Sequence, residues 1–174
     1  MLEHFWGKRK SAQPDVGEPA PDFALTTLGG GSFALSEELR NGPVVIAFFK
    51  ITCSTCQFTF PFLERMYRAY QHKLVSFWGI SQDDEEKSRI FCERFGVTFP
   101  IALDDASFSA SKKYHFTNVP TFLLIDREGK VRFRQCGFSR AGLIQLSEEI
   151  GRLLERPPAM VFLASEMVPE LKPG

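Results

Sequence analysis

The 174-residue sequence is short of the residues that build disulfide and metal scaffolds, with 4 cysteines and 3 histidines. Four cysteines in a chain of this length are too few for a disulfide framework. A structural zinc site needs four ligands, usually as two close pairs. Only Cys53 and Cys56 are close in sequence, while Cys92 and Cys136 each stand alone and read as ordinary packed thiols. His4 falls in an N-terminal arm, His72 at a helix end and His115 in a loop, so none is framed as a ligand and no metal is expected. An excess of charge is missing too: Lys+Arg and Asp+Glu are both 21, for a formal net charge of zero. Such a balance builds no basic field for nucleic acid or an anionic membrane. No apolar run approaches the ~18 residues of a membrane span. Met1 to Lys10 carries basic residues with no apolar stretch behind them, unlike a secretory signal. The expectation is a cytoplasmic protein, unless a leader has been removed, with no nucleic-acid or membrane partner.

What is present is a globular composition, 44% hydrophobic and 24% charged, with 18 phenylalanines that read as a Phe-rich core. The length suits one domain with a sizeable core. Residues 1–16 read as a flexible polar arm, 17–155 as the folded domain and 156–174, with four prolines, as a tail. Two short apolar segments around Gly29-Gly30-Gly31 predict a hairpin. Ser36-Glu37-Glu38-Leu39 predicts a short helix capped by Ser36. Val44 to about Lys50 is apolar on both faces, as in a central strand covered by helices. A long helix follows over about Ser54–Gln71, with Pro61 inside it as a kink. Downstream come a strand over 74–80, an acid-led helix ending at Gly96, a short strand at 99–103 and a helix over 107–114. A buried strand over 121–125, a hairpin partner over 131–136 and an amphipathic helix over 141–154 complete the pattern. Early strands alternate with helices, and the last two form a hairpin, so the class is α/β with a mixed central sheet flanked by helices.

The chemistry concentrates at Cys53-Ser54-Thr55-Cys56, between the central strand and the long helix. Two thiols at this spacing on a strand-to-helix junction form a redox pair. A helix start offers unpaired N–H groups and a partial positive charge, which favour a thiolate, the nucleophilic form. Cys53, at the helix start, is the expected nucleophile. Cys56, one turn inward, is the expected resolving thiol that breaks the mixed disulfide.

With these residues in place the chain resembles the thioredoxin fold, in its TlpA-like and AhpC/TSA (redoxin) branch, over about residues 17–155. The resemblance rests on four features in order. Pro21-Asp22-Phe23 with Leu25 is similar to that branch's P-x-F-x-L opening, Cys53-x-x-Cys56 follows the first core strand, Pro61 lies five residues past Cys56, and Val119-Pro120-Thr121 precedes the third buried strand. The strand and helix at about 99–114 resemble the branch's insertion. The resemblance implies a cis peptide bond at Pro120 and a role for Val119 and Pro120 in pairing with an extended substrate strand. It also implies a redox-active Cys53–Cys56 disulfide with no other cofactor, protein or small-molecule disulfides as substrates, an upstream dithiol as electron donor, and a monomer or weak dimer.

The chain departs from the family pattern around the pair. Thr52 stands where a Trp is usual, Ala47 where a buried acid is usual, and Thr59 where many TlpA-like reductases carry Glu. No carboxylate is then expected beside Cys56, and Lys50 is the nearest cation in sequence. Ser54-Thr55 lacks the His of strong oxidants, which favours a disulfide reductase over an oxidase. A peroxiredoxin-like peroxidase is the alternative enzyme. Its P-x-x-x-T-x-x-C motif would need Pro at Phe49 and Thr at Cys53 if Cys56 were peroxidatic. A metal-binding or copper-chaperone module is the other alternative, and its C-x-x-x-C spacing is absent.

Overall fold

The structure is a computed structural model that describes residues 13–70 and 74–174. His4, Gln71 and His72, and most of the expected arm, lie outside the described residues. The described elements are, in order, β1 (Ala24–Thr27), β2 (Ser32–Ala34), α1 (Leu35–Glu38), β3 (Val44–Phe49), α2 (Ser54–Tyr70), β4 (Ser76–Ser81) and α3 (Glu85–Phe95). After these come β5 (Ile101–Leu103), α4 (Ser109–Tyr114), β6 (Thr121–Ile125), β7 (Val131–Cys136), β8 (Phe138–Ser139), α5 (Arg140–Leu154) and β9 (Leu171–Lys172).

Seven strands form one sheet in the order β2-β1-β5-β4-β3-β6-β7, and β8 and β9 pair as a small second sheet. β3, β4 and β5 run parallel, whereas β6 is antiparallel to β3, β7 to β6, and β1 to both β2 and β5. The mixed sheet, the N-terminal hairpin and the β5–α4 insertion are those expected from the sequence.

β3 is buried along its whole length and separates two cores by the alternation of its side chains. Val45, Ala47 and Phe49 face Phe60, Leu63 and Met66 of α2, Phe91 of α3, and Leu143, Leu146 and Ile150 of α5. Val44, Ile46 and Phe48 face Phe23, Phe33, Leu35 and Tyr114 on the other side. Phenylalanines pack in both layers. The Phe49 ring lies 4.5 Å from that of Phe60 and 4.7 Å from that of Phe91, and Phe48 lies 5.3 Å from Tyr114. Such tilted pairs add to the free energy of burial.

Local differences from the sequence expectations have identifiable causes. α1 begins at Leu35, so Ser36 lies inside it and caps nothing; the Asp22 carboxylate accepts the Ser36 N–H instead, at 3.0 Å. α4 begins at Ser109, after Phe108 in the left-handed region, because the Asp104 carboxylate accepts the N–H groups of Ala110 and Ser111. α3 starts on the Asp84 cap, as its acidic lead predicts, and stops at left-handed Gly96. α2 runs through Pro61, whose ring lies on the exposed side. Cys136 is exposed, contrary to the packed-thiol expectation, because it ends β7 with its side chain outward. Cys92 is half-buried against the core, where burial, reinforced by the Glu64 and Glu93 charges, pushes its thiol up to about 11.

Residues 156–174, expected as a tail, lie along α2. The Ala159 N–H donates to the Tyr70 hydroxyl at 2.8 Å, and Val161 is buried. Phe162 packs on Phe62, and Arg65 forms a two-pronged pair with Glu166 at 2.7 and 2.8 Å. A two-pronged guanidinium–carboxylate pair fixes direction as well as distance. Arg65 holds the Glu166 carboxyl down to about 2.

Glu64 is the one acid buried in the α2 core face, and it ties α2 to the segment before β5. Its carboxylate accepts from the Thr98 N–H and hydroxyl, the Phe99 N–H and Arg68. Burial alone would raise this carboxyl, but the Arg68 and Thr98 donors outweigh it and hold it below its ordinary 4.5. Glu64→Leu leaves the Thr98 and Phe99 N–H groups without a partner and is expected to cost about 1–3 kcal/mol in urea unfolding. A carboxyl lowered in the folded state stabilises above its unfolded pKa and loses that effect as pH falls through the folded value. Wild-type stability should therefore drop more steeply than that of Glu64→Leu as pH falls below 4.5.

Candidate active site

The site forms where β3 ends and β6 begins. The β3–β6 register sets Phe48 opposite Thr121, so the chain leaving β3 toward Cys53 passes beside the chain entering β6 from Val119-Pro120. The Val119–Pro120 peptide is cis. Cys53 Sγ donates to the Val119 carbonyl at 3.2 Å, and the Cys56 N–H donates to Cys53 Sγ at 3.1 Å. Cys53, Cys56, Val119 and Pro120 are thus brought together, and all four cysteines are free thiols.

The two sulfurs have different surroundings. Cys53 is partly exposed, and Cys56 has no accessible surface. Burial pushes the Cys56 thiol far up, with a further push from the hydrogen bond to Cys53. Cys56 therefore stays protonated under ordinary conditions, and Cys53 is the sulfur open to solvent.

Residues that sequence reasoning passed over hold the loop before Cys53. The Ile51 N–H donates to Asp83 Oδ2 at 2.8 Å, and Gln57 Nε2 donates to the Ile51 carbonyl at 2.8 Å. The Cys53 N–H closes the turn onto the Lys50 carbonyl at 3.1 Å. Both backbone groups of Ile51 are thereby fixed from opposite sides, by the end of β4 and by the first turn of α2. The acid run at 83–86 was legible as a helix start, but nothing in its pattern marks Asp83 as the partner of Ile51.

Lys50, Thr52 and Pro61 direct their side chains to solvent. Lys50 bears on the pair through its backbone. Ala47 and Thr59 are buried, and the Thr59 hydroxyl is committed to the Thr55 carbonyl at 2.7 Å. The Thr55 hydroxyl donates to the Pro173 carbonyl at 2.5 Å, a contact between the redox motif and the tail that its intervening residues did not announce. Among the described residues no group of three or more His, Cys, Asp or Glu side chains is placed to hold a metal ion. No described helix is long and apolar enough to cross a membrane.

The model of the AhpC/TSA family matches residues 16–134, spanning the hairpin, the cysteine pair, Val119-Pro120 and most of β7. The chain belongs to the AhpC/TSA family. Among its relatives, the thiol-disulfide oxidoreductase ResA of Geobacillus kaustophilus is 34% identical over 118 residues, 67% of each chain. The thioredoxin-like protein YneN of Bacillus subtilis is 29% identical over 128 residues, 71% of this chain and 73% of YneN. A structure from Chlorobium tepidum, assigned as the thiol:disulfide interchange protein DsbE, superposes with a TM-score of 0.73 at 29% identity, covering 81% of this chain and 99% of that one. The architecture is the thioredoxin fold of this redoxin branch.

The burial difference gives a direct test of the site. Iodoacetamide at pH 8 is expected to modify Cys53 and the exposed Cys136 in the folded, reduced protein. Cys56 should label only after denaturation, as read by peptide mass spectrometry. Equal labelling of Cys53 and Cys56 would remove the distinction between them.

Proposed function

We infer that this chain is a thiol–disulfide oxidoreductase that uses Cys53 as nucleophile and Cys56 as resolving thiol, working as a disulfide reductase. The observation that carries the reading is the asymmetry of the pair: one reachable sulfur held against the Cys56 N–H and the Val119 carbonyl, above one sulfur with no accessible surface. The names of the relatives support the same activity class.

The reaction balances with the pair alone. The Cys53 thiolate attacks one sulfur of a substrate disulfide, forming a mixed disulfide and releasing the first substrate sulfur as a thiolate. Cys56 then attacks Cys53, forming the Cys53–Cys56 disulfide and releasing the second substrate sulfur. Two electrons pass from the pair to the substrate, the two thiol protons end on the released sulfurs, and a separate dithiol must return the pair to its reduced state. The Cys56 N–H, in the first turn of α2, points at the attacking sulfur. The reductase direction is supported by Ser54 and Thr55, which place no cation between the cysteines.

Insulin-disulfide reduction and peroxide consumption, measured in parallel, test the reading. Wild type should reduce insulin and consume peroxide slowly. Cys53→Ser should abolish reduction, and Cys56→Ser should accumulate mixed disulfides visible on a non-reducing gel. Trapping by Cys53→Ser would reverse the roles, and fast peroxide turnover with slow insulin reduction would point to the peroxidase instead.

A further inference from the structure

Residues 171–174 lie across the mouth of the site. β9 pairs antiparallel with β8, with Lys172 opposite Phe138 and Leu171 opposite Ser139. The next two residues reach the redox motif. The Pro173 carbonyl accepts the Thr55 hydroxyl at 2.5 Å, and the Gly174 carbonyl accepts Asn118 Nδ2 at 3.1 Å. The approach is close on both sides. A side-chain carbon at Gly137 would lie 2.8 Å from the Lys172 carbonyl oxygen and 2.9 Å from the Gly174 nitrogen. One at Gly174 would lie 2.7 Å from the Val119 carbonyl oxygen, the atom that accepts Cys53 Sγ. Gly137 also has φ +73°, so bare backbone is needed there twice over.

We propose that residues 171–174 occupy the binding site of an extended polypeptide substrate, which enters by displacing them and pairing with β8 and the Val119 segment in their place. The proposal rests on the oxidoreductase reading and names its substrate class: a disulfide carried on an extended stretch of chain. The mode of holding supports it. Leu171 is 71% exposed, so this side chain adds little, and the contacts at Thr55, Asn118 and β8 all fall on tail backbone atoms. Backbone pairing at a strand edge accepts many sequences, as a site for varied polypeptides must. Lys172 is the exception, with its ammonium 5.3 Å from the centre of the Phe58 ring. A basic residue at the equivalent substrate position fits the same ring.

The tail divides into an anchor and an occupant. Ala159, Val161 and Glu166 are tied to Tyr70, Ser147 and Arg65, whereas Met167 is fully exposed. Release of 171–174 therefore leaves the anchor in place. A tethered occupant competes at an effective concentration that can reach the millimolar range. It discriminates against weak ligands and leaves small disulfides, which need no strand pairing, nearly unaffected.

Lys172→Pro, which removes an N–H from the β8–β9 ladder, and deletion of residues 171–174 are two independent ways of freeing the site. Each is compared with the full chain on the reduction of insulin disulfides and of 5,5′-dithiobis(2-nitrobenzoate). Both variants should lower KM for insulin roughly fivefold or more at unchanged kcat, with the aromatic disulfide changed less than twofold. The peptide acetyl-Glu-Leu-Lys-Pro-Gly should inhibit insulin reduction by the deletion variant competitively. An unchanged or raised KM for insulin in both variants, with circular dichroism matching the full chain, overturns the proposal. If the full chain reduces neither disulfide, the oxidoreductase reading itself fails, an outcome distinct from a full chain that reduces both and is indifferent to its tail.

Discussion

The antiparallel register of β3 against β6 is the constraint on which the site depends. With Phe48 opposite Thr121, the chain leaving one strand and the chain entering the other emerge at the same edge of the sheet. The register is held from both faces, because β3 and β6 are buried throughout and a one-residue slip would exchange their two sets of side chains. Val44, Ile46 and Phe48 would then meet the α2 and α5 layer in place of Val45, Ala47 and Phe49. The small Ala47 sits where the register sets it opposite Phe122. The geometry of Cys53 against Val119 is thus a consequence of core packing some distance from the sulfur.

A second consequence of the same packing is the inequality of the two thiols. α2 buries Cys56 in the line that continues through Phe60, Leu63 and Met66, so Cys56 is a core residue that happens to carry sulfur. Cys53 precedes the helix and remains at the surface. The two thiols differ because Cys53 stands before the first residue of α2, at the end of the loop, whereas Cys56 lies inside the first turn on the core face. The clamps on Ile51 from Asp83 and Gln57 matter because the attacking sulfur is at the end of a loop. They give that loop the fixed geometry that the helix gives Cys56.

The strands, the helices and the cysteine pair were legible in the sequence because each has a local signature: an unbroken apolar run at 44–49, a 3.6-residue pattern at 141–154, a C-x-x-C at a strand-to-helix junction. Val119-Pro120 was legible only through resemblance, since a Val-Pro pair alone does not say which strands flank it. Contacts between residues distant in sequence left no such trace. Asp22 capping α1 in place of Ser36, Asp83 holding Ile51, and Thr55 meeting Pro173 each join segments 14 to 118 residues apart. Their side chains are small polar groups whose ordinary roles lie on the surface. The prolines of 156–174, which read in sequence as a tail, fit a chain laid along α2 as well as one that is free. Gly137, which permits a close approach of that segment, has no local pattern that marks it.

Proton balance is the remaining consequence of burying Cys56. In the proposed reaction this thiol attacks the mixed disulfide, and its proton must leave. The groups that bear on it are the Cys53 sulfur and nearby backbone, with no carboxylate among them. Ala47 and Thr59 fill the positions where an acid is usual, and Thr59 already donates to Thr55. Glu64 is spent on Thr98, Phe99 and Arg68. The base generated in the step itself is the departing substrate sulfur, which becomes a thiolate as the Cys53–Cys56 bond forms. A proton that follows the electron pair to that sulfur needs no dedicated acceptor. Resolution then couples to the basicity of the leaving thiol: an alkyl thiolate takes the proton readily, and an acidic aromatic one does so less well. In the proposed reaction the substrate supplies the group that the sequence omits.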